Sequence, residues 1–235
     1  MYKSVRAIND HDSGHCDNGR MAEGLQTACA ICNTRRPRRY CPGVAGHICT
    51  VCCGTERENS VRCPLDCPYL REARARERDP DVDPGEFPHP EINVDERFLR
   101  RNEPLLLYIA GGLALIALEH DGSIDLDVRE ALNALVRTYV TLQSGLVYEV
   151  RPENPIAARI QAGLQQRIRE VEEELRNNGA TLRESDVLGV LIFLQRLELQ
   201  KNNRRRKSRA FIDFLREFFP PDAPTKEQQS SLILP

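Results

Sequence analysis

Apolar residues in the C-terminal half of the chain recur at helical spacing. Ile156, Ile160, Leu164, Ile168, Val171 and Leu175 step by three or four positions, which aligns them along one side of a helix. Asn154-Pro155 ahead of them reads as an N-cap followed by proline at the first helical position, and Asn177-Asn178-Gly179 supplies the stop. Thr181 and Glu184 have the spacing of a capping box in front of Val187, Leu188, Leu191, Leu194 and Leu197. An earlier helix is expected from Asp125 or Asp127, using Val128, Leu132, Leu135, Tyr139 and Leu142. Pro104 to Leu118 is apolar nearly all round and belongs at the centre of a bundle. Four or five packed helices over 96–219 are predicted, so the fold class is mainly α.

The N-terminal half lacks such periodicity. Residues 1–24 are polar and read as a flexible tail, and 220–235 as a second one. Residues 77–95, ERDPDVDPGEFPHPEINVD, hold four prolines and seven acids, the composition of an extended, solvated linker. Between tail and linker, 25–76 forms a cysteine-rich module that contains eight of the nine cysteines.

The spacing is C-x2-C-x8-C-x7-C-x2-C-C-x9-C-x3-C, from Cys29 through Cys32, Cys41, Cys49, Cys52, Cys53 and Cys63 to Cys67. C-x2-C brings two thiolates from one tight turn to a common ion, and it occurs at Cys29/Cys32 and again at Cys49/Cys52. Eight thiols suit two four-coordinate ions. A thioredoxin-type pair needs a βαβ pattern that is missing here, and catalytic zinc usually draws on histidine and carboxylate ligands. Spacing alone admits iron–sulfur ligation; structural Zn²⁺ is the expectation. A module this short, with few large apolar side chains, needs metal to fold.

The order of C-x2-C, a lone cysteine, ICTVC and a spaced last pair resembles the type 2 B-box, whose pattern is C-x2-H, a lone Cys, C-x2-C and two histidines. RING modules are similar at lower fidelity, with Cys41, His47, Cys49 and Cys52 in their middle positions, but their last pair is C-x2-C. The resemblance implies a cross-brace in which alternate pairs share an ion. Site one is then Cys29, Cys32, Cys49 and Cys52; site two is Cys41, Cys63, Cys67 and one more ligand. The B-box has an aspartate three residues after its lone cysteine, where this chain has Val44. Neighbours in an extended segment point to opposite sides, so Cys53 is the expected fourth ligand, with His47 the alternative. The resemblance covers about 40 residues and implies protein partners.

Charge qualifies this picture. The whole chain carries −2, which argues against a generic nucleic-acid binder. Locally, Arg35, Arg36, Arg38 and Arg39 lie between Cys32 and Cys41, and residues 25–76 hold nine arginines against four acids. They form a phosphate-binding surface or offset the negative charge of zinc-bound thiolates; the second reading is favoured. Arg204, Arg205, Arg206, Lys207 and Arg209 make another basic run, followed by Phe211, Phe214 or Leu215, and Phe218 on one face. That stretch is read as a solvated helix ahead of a packed one, with contacts to nucleic acid, acidic protein or membrane as the alternative.

DGSIDLD, Asp121 to Asp127, lacks the glycine and glutamate of a calcium loop and reads as a turn with a helix cap. His11, His15 and Cys16 belong to the tail. No catalytic motif is found, and Gly111-Gly112 is expected to permit close helix packing. No secretory signal or membrane-spanning segment is expected from its apolar runs, and its cysteine usage suits a reducing, cytoplasmic compartment. The resulting expectation is a non-enzymatic zinc-binding interaction or adaptor protein with a protein partner, self-association through the helices being one form of it. Nucleic-acid binding through the two arginine clusters is the rival.

Overall fold

A computed structural model describes residues 28–145 and 148–218. The tails read at 1–24 and 220–235, with His11, His15 and Cys16, lie outside the described residues. The fold is mainly α, with eight α-helices and one two-stranded sheet among the described residues.

The sheet is a hairpin of β1 (Arg39–Cys41) and β2 (Gly46–Ile48), antiparallel, with Tyr40 opposite His47 and Cys41 opposite Gly46. Its turn packs against 61–62, where a Cβ on Gly43 would meet the Arg62 carbonyl oxygen at 2.4 Å. Glycine is therefore required there. Two short helices follow, α1 (Thr50–Thr55) and α2 (Pro68–Arg74). The remaining helices are α3 (Glu96–Arg101), α4 (Glu103–Glu119), α5 (Asp125–Gln143), α6 (Pro155–Asn177), α7 (Glu184–Lys201) and α8 (Ala210–Phe218).

The bundle follows its apolar stripes. Ile160, Leu164 and Ile168 of α6 are buried, as are Val128, Leu132 and Leu135 of α5. Asn154 caps α6 by accepting from the Ile156 N–H at 2.9 Å, and Gly179 leaves it in the left-handed conformation at φ 73°. Two expectations are corrected. First, α7 begins at Glu184 behind Arg183, so Thr181 and Glu184 do not bracket its first turn as a capping box. Second, the helix buried nearly all round is α7, from Val187 to Gln195. In contrast, α4 leaves Leu107 and Leu115 exposed. Total apolarity placed α4 at the centre, but its neighbours leave part of its surface uncovered. The open space over Gly112 is filled by a side chain: its Cβ would lie 2.0 Å from Nε of Arg167, whose guanidinium stacks over Tyr108.

The DGSIDLD turn caps two helices. Asp127 accepts from the Ile124 N–H at the start of α5. Asp125, fully buried, accepts from Ser208 Oγ and from the Phe211 and Ile212 N–H groups, so it caps α8 from a distant part of the chain.

The acidic, proline-rich stretch lies along the bundle. Arg196 of α7 donates to the carbonyls of Pro88, His89 and Ile92, Lys201 pairs with Asp79, and Ile92 and Val94 pack on the core. Three of its acids, Glu77, Asp79 and Glu86, pair with Arg205, Lys201 and Arg204 of the helical half.

Candidate metal centre

Four thiols converge. The sulfurs of Cys29, Cys32, Cys49 and Cys52 all lie within 4.8 Å of one another. Tetrahedral Zn–S bonds of about 2.3 Å would separate ligand sulfurs by about 3.8 Å, which this grouping accommodates as a closed four-thiolate shell. Local structure fixes this arrangement. The Cys49 N–H donates to Cys29 Sγ at 3.2 Å, and the Cys52 N–H donates to Cys49 Sγ at 3.3 Å, which makes Cys49 the N-cap of α1. Each sulfur therefore accepts a backbone proton that a thiolate binds better than a thiol.

The electrostatics of this group suit a bound cation. Hydrogen bonds from the Thr34 hydroxyl and from the Thr34 and Arg35 backbone pull the Cys32 thiol down to about 5. Burial, and then the sulfurs of Cys49, Cys32 and Cys29, push Cys52 up to about 12. The first thiolate forms readily and the last is opposed by those before it. A bound dication reverses that opposition, and the all-sulfur donor set selects a soft or borderline metal.

The other four cysteines line one small cavity with Arg39, Arg57 and Tyr69. Among the described residues only the first four sulfurs meet at the tighter separation. Burial raises the Cys41 and Cys63 thiols, and neighbouring sulfurs add to this, Cys53 and Cys67 acting on Cys41, and Cys41 and Cys67 on Cys63. The Arg39 guanidinium lies 3.7 Å from Cys53 Sγ and 3.9 Å from the Tyr69 ring centroid, while Arg57 reaches the same sulfur at 3.9 Å.

The adjacent cysteines separate for a reason different from the one expected. They lie in α1, not in an extended segment. Consecutive helical side chains diverge by about 100°, enough to place the Cys52 sulfur in the first cluster and leave Cys53 out of it, although both residues line the cavity. His47 lies on the exposed face of β2, with its ring edge-on to Tyr40 at 5.5 Å.

The arginines divide by position. Arg35 is held by the Cys49 sulfur and the charge of Cys32, and Arg39 by Cys53, so one loop arginine serves each group of thiols. Arg36 and Arg38 are exposed. The second basic run is a loop, not the solvated helix expected. Arg205 donates to the Arg57 carbonyl at 2.8 Å, Lys207 donates to the carbonyls of Glu58 and Ser60, and Arg209 is buried. Arg204 pairs with Glu86 at the surface, and Arg206 is exposed. Sequence reasoning missed Arg57, although it stands four residues after Cys53, and missed the buried Glu58, which spacing alone does not mark.

The chain matches no protein family model, and comparison with characterised proteins and with solved structures likewise yields no match. No helix among the described residues is long and apolar enough to cross a membrane.

Proposed function

We propose that the chain is a zinc-dependent interaction or adaptor protein in which two Zn²⁺ ions, cross-braced as in B-box and RING modules, hold a small module against a helical bundle. The convergence of Cys29, Cys32, Cys49 and Cys52 carries this reading. The second ion is assigned to Cys41, Cys53, Cys63 and Cys67, supported by their shared cavity and by the two arginines on Cys53. Four-thiolate shells leave no open coordination position, so the role is structural and non-catalytic. Thiols that serve as ligands suit a reducing, cytoplasmic setting.

The partner-facing surface in this reading is an apolar groove among α3, α4, α7 and α8. Leu106, Leu107, Phe193, Leu197 and Phe218 line it, and Arg100 and Glu103 stand at its edge. It accounts for the exposure of Leu107 on α4, while Leu115 lies outside it. Its shape and chemistry fit an amphipathic helix of another protein; a second copy of this chain would show as a dimer in sedimentation.

Native mass spectrometry of the purified chain tests the metal assignment. Two zinc ions are expected, falling to one, or to a weakly held second, in Cys53→Ser and staying at two in His47→Gln. Absence of zinc from carefully purified protein overturns the reading. Loss of the second ion in His47→Gln moves the fourth ligand to that residue.

A further inference from the structure

Module and bundle are joined through the loops that carry the second group of cysteines. Glu58 lies between Cys53 and Cys63, in the left-handed conformation at φ 53° and 1% exposed. Its carboxylate accepts from Arg74 of α2, from Asn203 Nδ2 at 2.8 Å and from the Arg209 N–H at 2.9 Å, and its carbonyl accepts from the Lys207 N–H. Arg74 also pairs with Asp213 of α8. Arg216 of α8 reaches Asp66, between Cys63 and Cys67, at 2.7 Å, and Leu65 is buried in the bundle core.

Arg57, Glu58, Ser60, Leu65, Asp66 and Arg74 each stand within seven residues of Cys53, Cys63 or Cys67. Those cysteines fix the ends of the loops that present them. What the loops hold is the strap 202–209 and, beyond it, α8. That helix has nine residues, too few to be stable alone, and its Phe214, Leu215 and Phe218 form one wall of the apolar groove.

We propose that metal at the Cys41, Cys53, Cys63 and Cys67 site acts as a clamp on α8, so that metal occupancy controls the shape of the groove. This rests on the two-ion reading above. With metal bound, the 54–66 loops and α2 stay in register, Arg74 bridges Glu58 to Asp213, and α8 stands as a fixed wall. Without it the loops lose their ends, the buried Glu58 carboxylate loses its ordered donors, and the outer half of α8 loosens. The first turn of α8 is held separately by Asp125, which belongs to the bundle. The change therefore concentrates in 203–208 and 213–218. Binding of a partner helix in the groove becomes metal-dependent even though no metal ligand lines it.

Hydrogen exchange read by mass spectrometry on the full chain tests this, with metal counted by native mass spectrometry in parallel. Removing metal is expected to raise exchange in 203–208 and 213–218 by about tenfold or more, while 128–140 and 160–175 change less than about threefold. Glu58→Gln and Arg74→Gln, which keep every cysteine, are expected to loosen the same two segments with the zinc count unchanged. Unaltered protection of 203–218 after verified metal loss overturns the clamp, and so does uniform opening of all helices. If the purified wild type holds no metal, both readings fall, and the two variants still report whether the strap holds α8. If two ions are present and α8 ignores their removal, only the clamp falls.

Discussion

The cysteine module and the helical bundle reach order by different means. In the module the buried side chains are mostly sulfur, with Ile48, Val61 and Leu70 as the large aliphatic ones. In the bundle, Leu113, Leu132, Leu135, Ile160, Leu164, Leu188, Leu191 and Phe211 are all buried in one continuous core. A core that small cannot offset the entropy of ordering its chain, so in the proposed reading the module depends on metal. The bundle depends on area removed from water. One region should answer to chelators and the other to cavities.

The largest effect expected is metal removal. Structural zinc contributes on the order of 10–16 kcal/mol per site near neutral pH. A strong chelator should therefore abolish amide protection throughout 39–74 while α5 and α6 remain protected. Cys49→Ala, which removes both a thiol of the four-sulfur cluster and the side-chain cap of α1, should do the same without chelator. Exchange measurements on the two regions check both; a module that keeps its protection without metal would erase the contrast.

Next comes the converse test. Leu191→Ala leaves a cavity at a fully buried position of α7 and should cost about 2–5 kcal/mol. In calorimetry that lowers the melting temperature by several degrees, about 2–4 °C per kcal/mol for a chain of this size. The metal content by native mass spectrometry should not change.

Legibility in the sequence differed between the regions for the same physical reason. Helices in the bundle are repeated local patterns, so the stripe of α6 and its Asn154 cap are visible within a few turns of sequence. What failed there was long-range: α4 looks central because it is apolar, but a helix is central only if neighbours cover every side, and the groove leaves Leu107 uncovered. In the module, C-x2-C spacing is itself a statement about distance, which marks Cys29/Cys32 and Cys49/Cys52 as two half-sites; that the two pairs meet was implied only by the cross-brace of the resembling families, and the four sulfurs do converge. The strap was not. Lys207 and Arg209 look like solvated charge until Glu58, about 150 positions earlier, is known to face them. Asp125 likewise reads as a local cap, and its role at α8 depends on a chain crossing that no spacing encodes.

Asp125 gives the next effect, in pH. Burial pushes its carboxyl up to about 6, against the hydrogen bonds from Ser208, Phe211 and Ile212 that favour the anion. The folded value lies above the ordinary 3.8, so between about pH 4 and 6 the folded chain holds a proton that the unfolded chain has released. Stability from this group is thus greatest at the acid end of the window and falls as pH rises through it. A shift of that size corresponds to roughly 2–3 kcal/mol. Acid also competes with metal for the thiolates, with the opposite sign, so the difference between wild type and Asp125→Asn isolates the contribution. Denaturant midpoints across pH 4–7 should show a slope in that difference; a flat difference contradicts the assignment.

The smallest effect divides the module within itself. Arg39 and Arg36 share one loop and one charge, yet Arg39 contacts a cysteine sulfur and a tyrosine ring, while Arg36 lies exposed. Partners of a metal ligand typically change affinity by about 10–100-fold when removed. Arg39→Ala should therefore weaken the more easily lost zinc by that factor in a chelator competition. Arg36→Ala should leave zinc affinity unchanged and stability within about 0.5 kcal/mol, as for an ordinary surface site. Both variants lose one positive charge, so a mere long-range field would weaken metal binding equally in the two. Equal losses would return these arginines to a diffuse basic surface. Unequal losses would make Arg39 part of the metal centre, and the phosphate-binding reading would then rest on Arg36 and Arg38 alone.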